Sequence, residues 1–214
     1  MILILACVNI HSQDKQETRI RLMAVPQYLF KHGARIDLDI RLTNQRWLIL
    51  SPYVYLADKQ NRGDMPVTTY LYANPDFNKM VGFGLGIAQR HYLNANPYQG
   101  RNLFYMEYGA VVRDYTLTVD GNIWETQIEN GLPVLVEQPS RYDVNILNLG
   151  VNLQFGWQIL LSERLYADWF LGCGMRYSIY DRPETSTVMF NNSTADFGYT
   201  GTLLCGGMRL GFGL

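Results

Sequence analysis

The stretch Leu147-Asn-Leu-Gly-Val151-Asn-Leu-Gln-Phe155-Gly-Trp-Gln-Ile159-Leu-Leu161 alternates between apolar and polar residues along its whole length. Every odd position is apolar, whereas the even positions are Asn, Gln or Gly, with Leu160 as the single exception. A period of two residues is typical of a β-strand with one apolar and one polar face. Soluble strands average about 5–6 residues, and a tilted strand crosses a bilayer in about 9–11 residues. The length of this alternation therefore favours a strand of a transmembrane β-barrel.

The same alternation recurs in residues 35–42, 103–115 and 165–180. The apolar faces of these segments carry no charge, and in the second segment this face runs from Phe104 to Val112. An Arg or Lys at the bilayer midplane would cost about 2–4 kcal/mol. Their polar faces are rich in glycine, which suits a narrow barrel interior. A soluble β-sandwich or lipocalin-like barrel is the alternative fold, and it predicts that Leu149 and Leu153 point into an apolar core.

The composition restricts the other possibilities. The chain has 214 residues, a net charge of −1, and 17% charged and 13% aromatic residues, so it fits one domain and carries no basic excess for nucleic acid. After the N-terminus no apolar run reaches the length of a transmembrane helix. We find no P-loop, nucleotide fingerprint, Gly-x-Ser-x-Gly or metal-ligand spacing, and we therefore expect no cofactor, no metal and no assigned catalytic residue.

The alternation and the turn residues between the segments predict an up-and-down antiparallel barrel of about eight strands. From the second connection on, short and long connections alternate, and the long ones, at 59–77, 119–142 and 182–198, are expected to be external loops. An even number of strands places both termini in the periplasm, which requires a first strand even though Pro26 interrupts it. The predicted strands are 19–30, 34–43, 46–58, 78–93, 102–118, 143–161, 165–181 and 199–214.

The N-terminal segment Met1–Ile10 is apolar and is followed by His11-Ser-Gln-Asp-Lys15. This order is typical of the apolar region and cleavage site of a secretory signal peptide. We predict a signal peptide at 1–12, which lacks the usual basic start and is therefore expected to be truncated, and a barrel at 13–214. For the N-terminal segment, a short buried strand and lipidation at Cys7 are the alternatives. Cys173 and Cys205 are predicted to face opposite sides of the sheet, so we expect free thiols rather than a disulfide.

The final strand reads Gly206-Gly-Met-Arg-Leu-Gly-Phe-Gly-Leu214, with apolar residues alternating to the last position. It resembles the C-terminal targeting signal of outer-membrane proteins, with Leu214 in place of the usual Phe. The whole chain resembles small outer-membrane barrels of the OmpA/OmpX type. The segments 26–40 and 47–55 are similar in particular to uncharacterised Bacteroidota barrel proteins. The resemblance implies a bacterial outer-membrane location, contact with membrane lipid, and insertion by the barrel-assembly machinery.

Charged residues gather on the faces predicted to line the lumen. An eight-stranded barrel is just wide enough to be filled by side chains, and buried charges are costly unless they are paired. We predict a network of ion pairs that plugs the lumen, and the alternative is a narrow polar pore, which the excess of Arg would make anion-selective. The residues of the predicted network are Arg35, Asp37, Asp39, Arg41, Arg90, Glu107, Arg113, Asp168, Arg176 and Arg209.

Two further function classes remain open at this point. A lipid A-modifying enzyme would use a His with Ser and a carboxylate, and His32 and His91 are the candidates outside the N-terminal segment. An adhesin-like or complex-subunit protein would instead use its external loops. The segment 119–142 carries unusually many apolar residues for an external loop, so it is expected to cover the mouth or to contact a protein partner.

Overall fold

The computed structural model describes residues 19–58, 77–93, 102–182, 186, 190–191, 194 and 196–214. These residues form a closed antiparallel barrel in which each strand pairs with its neighbours in the chain and β8 pairs with β1. The predicted fold class is confirmed. The predicted signal peptide with Cys7, and residues 59–76 of one predicted loop, lie outside the described residues. The strands are β1 Ile20–Ala24, β2 Gly33–Arg41, β3 Arg46–Asp58, β4 Lys79–Tyr92, β5 Asn102–Glu129, β6 Leu132–Leu160, β7 Leu165–Asp181 and β8 Gly201–Gly213.

Side-chain directions follow the alternation of the sequence. On β6, Leu149, Val151 and Phe155 point outward and are 44%, 57% and 54% exposed, whereas Gln154 and Gln158 point inward and are buried. The apolar residues therefore do not converge on a core, as they would in a soluble lipocalin-like barrel. Successive residues alternate across the wall because a strand directs neighbouring side chains to opposite faces of its sheet.

The first strand is shorter than predicted. The prediction of a strand over 19–30 is wrong beyond Ala24, because Pro26–Lys31 forms a 3-10 helix that ends at His32 in the left-handed conformation. Pro26 has no backbone N–H to donate to a ladder, and its fixed φ suits the first turn of a helix. In the described part of the chain, no helix is long and apolar enough to cross a membrane.

Early termination of β1 leaves a gap in the ladder of the wall. β1 pairs with β8 only from Arg21 opposite Gly213 to Ala24 opposite Leu210, whereas β7 pairs with β8 as far as Gly201. The edge of β8 from Gly201 to Arg209, which we call the open seam, thus has a paired strand on one side only among the described residues. The 3-10 helix lies beside this seam, with the Gln27 side chain against Gly207.

The segment predicted as the external loop 119–142 is a β-hairpin. β5 and β6 continue their ladder from Val119 opposite Tyr142 to Glu129 opposite Leu132, and we call this part the ribbon. Asn130 and Gly131 connect the two strands with φ values of 52° and 82°. Positive φ at both central residues is the geometry of a two-residue type I′ turn, for which Asn-Gly is the favoured sequence. The prediction of a loop here is wrong, because this turn allows the two strands to remain paired as far as Glu129 and Leu132.

Candidate functional site in the barrel lumen

Seven of the ten predicted lumen charges meet in the middle of the barrel, and we call them the central cluster: Arg35, Asp37, Asp39, Arg90, Glu107, Asp168 and Arg209. Arg90 lies at its centre and is fully buried. Its guanidinium nitrogens lie 2.8 Å from a Glu107 carboxylate oxygen and 3.2 Å from oxygens of Asp39 and Asp168. One arginine on β4 is thus shared among carboxylates of β2, β5 and β7.

Arg209 of β8 ties the cluster across the closing strands. Both of its terminal nitrogens donate to Glu107 at 2.8 Å, and its Nε lies 3.1 Å from Asp37. Arg35 completes the set by donating to Asp37 at 2.6 Å. Two hydrogen bonds from one guanidinium to one carboxylate restrict orientation as well as adding stability.

Neutral donors and acceptors complete the coordination of this cluster. The Tyr105 hydroxyl donates to Asp168 at 2.5 Å, and Arg209 donates to the Gln154 carbonyl at 3.1 Å. Arg35 also donates to the Ser51 hydroxyl at 3.3 Å. The cluster is therefore a network anchored on most of the strands of the barrel.

Arg21 was not among the predicted lumen residues, although it lies opposite Asp39 in the β1–β2 ladder. It is buried, donates at 2.7 Å to both Tyr92 and Gln158, and stacks over Trp47 at 3.8 Å. Its odd position, between outward-facing Ile20 and Leu22, would have identified it by parity. With Arg21 included, four arginines face four carboxylates in this part of the lumen.

The other three predicted charges lie apart from the central cluster. Arg41 is at the β2–β3 turn, where it donates to Asn44 at 2.5 Å. Arg113 and Arg176 lie nearer the end from which the ribbon projects, which we call the ribbon end. Arg113 stacks over Tyr53 at 4.8 Å, and Arg176 donates to the backbone carbonyl of Asp196 at 3.0 Å.

Apolar and aromatic side chains fill the lumen on both sides of the central cluster. Toward the opposite end, a smaller cluster consists of Trp47, Tyr92, Leu103, Tyr105 and Phe170. The polar layer is therefore sealed between two apolar ones. The cluster at the ribbon end consists of Tyr53, Tyr55, Phe77, Met80, Tyr115, Leu117, Val119, Val144, Ile146, Phe190 and Phe197.

The candidate residues for other chemistry lie outside this network. His91 is on the outer side of β4, where its ring stacks on Tyr108 with centroids 5.9 Å apart, and His32 ends the 3-10 helix. Cys173 and Cys205 are free thiols, as predicted. Among the described residues, no group of three or more His, Cys, Asp or Glu is placed to hold a metal ion.

The ribbon is a second candidate site, because it exposes apolar side chains away from the barrel. Trp124, Ile128 and Leu135 are 43%, 78% and 64% exposed, and their parity places all three on the face that continues the outer wall. Asp120 and Arg141 pair across its base at 2.7 Å, and this hydrogen bond raises the pKa of Arg141 above its usual value. The ribbon contains four acidic residues and one Arg, which gives it a net negative charge.

Comparison with known proteins adds little beyond this architecture. No family model and no curated protein matches the chain. Among solved structures, the N-terminal β-barrel domain of Pseudomonas aeruginosa OprF is similar to this chain, with 14% sequence identity and a TM-score of 0.40. The match covers 91% of this chain and 96% of that domain. The assignment of a closed eight-stranded barrel rests on the strand pairing of the chain itself.

Proposed function

We propose that this protein is an integral barrel of a bacterial outer membrane, with a lumen closed by its own side chains, that acts through the ribbon as an adhesin-like or complex-subunit protein. One observation carries the proposal: burial is inverted relative to a soluble barrel. Arg90, Arg209 and Asp168 are fully buried inside, whereas large apolar side chains cover the outside.

The exposed apolar surface argues for a lipid environment. Phe83 on β4, Leu171 on β7 and Leu204 on β8 are 65%, 69% and 85% exposed, and similar residues continue on the intervening strands. Monomeric soluble proteins rarely expose contiguous apolar patches larger than a few hundred Å². Acyl chains would cover this surface, and the closed ladder satisfies most backbone groups, as a bilayer requires.

The packing of the lumen supports a structural role over a pore. Charges removed from water are tolerated when opposite charges and hydrogen bonds replace the lost hydration. Glu107 meets this condition by accepting hydrogen bonds from both Arg90 and Arg209. Apolar layers lie on both sides of the cluster, so the described lumen shows no continuous polar path.

The ribbon supports the interaction part of the proposal. A two-stranded hairpin alone in water is only marginally stable, and this ribbon is exposed along the face that continues the outer wall, whereas its other face is mostly half-buried. The apolar side chains of Trp124, Ile128 and Leu135 share one face. A protein surface covering that face would both bury them and stabilise the hairpin.

Membrane insertion is tested with two arginine substitutions of comparably apolar, exposed residues. Val151→Arg places a charge in the middle of the lipid-facing wall, and we expect it to lower folding into phosphatidylcholine vesicles by about 2–4 kcal/mol. Ile128→Arg, on the ribbon, is the matched control and should leave folding unchanged. Heat-modifiable mobility on electrophoresis measures the folded fraction. Equal effects of the two substitutions, or a wild-type chain that is stable in water without lipid, would contradict membrane insertion.

The interaction role is tested in mildly solubilised native membranes. Replacing both Trp124 and Ile128 with Ser should abolish co-purification of a partner, because the apolar face is removed while the hairpin pairing stays. Gln127→Ser, on the other face of the same strand, is the matched control and should retain the partner. Unchanged co-purification by the double variant would rule out a contact through this face.

A further inference from the structure

The ribbon half of the lumen contains a layer in which two arginines lie among tyrosines. We call it the tyrosine–arginine layer, and it consists of Tyr28, Tyr53, Tyr55, Tyr115, Arg113 and Arg176. Tyr55 and Tyr115 meet edge to face with ring centroids 5.0 Å apart, and Tyr28 contacts Tyr53 in the same way at 5.3 Å. Tyr53, Tyr55 and Tyr115 belong to the apolar cluster at the ribbon end, and Tyr53 borders the central cluster, because the Arg35 guanidinium lies 5.2 Å from its ring centroid.

Within the described part of the chain, no carboxylate forms an ion pair with the two arginines of this layer. Arg113 forms no ion pair and no side-chain hydrogen bond within the described residues, and its Nε is buried without a partner. Arg176 uses one nitrogen to donate to the Asp196 backbone carbonyl and likewise forms no ion pair there. A guanidinium has five N–H donors and cannot be deprotonated in a protein. Each arginine of the central cluster therefore forms an ion pair with a carboxylate, whereas Arg113 and Arg176 form none with the described residues.

We infer that the tyrosine–arginine layer is a binding site for an oxyanion, either a carboxylate or a phosphate group. The planar fork of a guanidinium matches the geometry of both groups, and the apolar surroundings strengthen the attraction. Arg113 and Arg176 are each only partly buried, so the layer contains volume that their side chains do not fill.

The layer borders the open seam through the 3-10 helix. The 3-10 helix beside the seam places Tyr28 in the layer, while its neighbours Leu29 and Phe30 are 69% and 58% exposed on the outside. An anion could therefore come from solution or be the head group of an amphiphile whose chain lies along the seam. Both sources present the same oxyanion to Arg113.

The experiment uses the folded full chain in nonionic detergent micelles and compares two probes, inorganic phosphate and dodecyl phosphate. The thermal midpoint is followed at constant ionic strength, because a ligand that binds only the folded state raises it in a saturable manner. We expect Arg113→Gln and Arg176→Gln each to raise the apparent Kd at least about tenfold, since each removes a charge-assisted contact. Arg141→Gln on the ribbon is the control and should leave the Kd unchanged.

The two probes identify the source of the anion. Saturation by both probes, or by phosphate alone, supports a site for a dissolved anion, and saturation by dodecyl phosphate alone supports an amphiphile. Heat-modifiable mobility verifies that each variant is folded, and Arg113→Lys, which keeps the charge but not the fork, provides an intermediate Kd if Arg113→Gln fails to fold. The inference is overturned if neither probe saturates, or if the arginine variants bind both probes as the wild type does.

Discussion

At the scale of single residues, Glu107 is the carboxylate on which the central cluster depends. It accepts hydrogen bonds from Arg90 and from Arg209, and it is buried together with both of them. Removing one member of a buried ion pair costs about 3–5 kcal/mol, because the remaining charge stays buried without compensation. We expect Glu107→Ala to lower the free energy of unfolding from vesicles by at least this amount, measured by urea titration.

Two comparison variants separate charge from packing at this position. Glu107→Gln retains an oxygen that accepts a hydrogen bond and nearly the same volume, so it isolates the loss of negative charge. Arg141→Gln removes an arginine from the exposed pair with Asp120 and should leave stability unchanged. A Glu107→Ala protein as stable as the wild type would show that Arg90 and Arg209 are satisfied by their other partners.

Parity predicted which charged residues face the lumen, but it could not predict their partners. Arg113 and Arg209 both lie on inward faces, yet only Arg209 reaches the carboxylates of the central cluster. The difference comes from strand register and neighbouring volume, since Arg113 lies over Gly84 and extends toward Tyr53. An arginine side chain is long enough to select among several partners, and alternation alone contains no information about that selection.

At the scale of elements, β8 has a predictable asymmetry between its two edges. The Leu214 amide donates to Ile20 of β1, and the Gly213 amide donates to Arg164 beside β7. Because donors alternate along an antiparallel strand, even-numbered amides of β8 point toward β1 and odd-numbered amides toward β7. Along the open seam the even-numbered amides therefore face no paired strand among the residues that the structure describes.

We expect this asymmetry to appear in amide hydrogen exchange of the protein in detergent micelles. The amides of Leu204 and Gly206 should exchange at least about tenfold faster than those of Leu203 and Cys205, because only the amides of the latter pair point toward β7, with which β8 is paired there. The amides of Leu210 and Phe212, which face β1 where it is present, are the internal control. Uniform protection along β8 would mean that the seam is closed by backbone pairing.

The two elements that differ from prediction do so for local reasons. The strand over 19–30 was required by the even number of strands, but Pro26 lacks the backbone donor that a strand needs there. The ribbon was predicted as a loop because it is a long connection that contains Pro133 and Pro139, and prolines are typical of loops. The Asn130-Gly131 turn sets the register in which the two strands of the ribbon pair, and a continuous apolar face is not needed for it.

At the scale of the whole molecule, the number of eight strands was predicted from the alternation of short and long connections. It did not depend on how clearly any single segment alternates between apolar and polar residues. Alternating short and long connections required an even number, and that requirement correctly retained β1 despite its interruption. The filled lumen followed from the same number, because eight strands enclose only enough space for side chains. The closure at the ribbon end by Phe190 and Phe197 could not be derived in this way, since these residues lie in an irregular connection.

The closed lumen leads to a prediction about conductance in planar bilayers. We expect no steady single-channel current from the wild-type protein, because the central cluster and the two apolar clusters occupy successive layers of the lumen. Disrupting one layer should not open a path through the lumen. The Glu107→Ala variant is therefore also expected to give no steady current, even though it is less stable than the wild type. A variant that combines Glu107→Ala with Tyr105→Ala and Arg90→Ala would widen the polar layer but leave Phe190 and Phe197 across the ribbon end. Steady unitary currents from the wild-type chain would contradict the side-chain plug and would support a narrow pore instead.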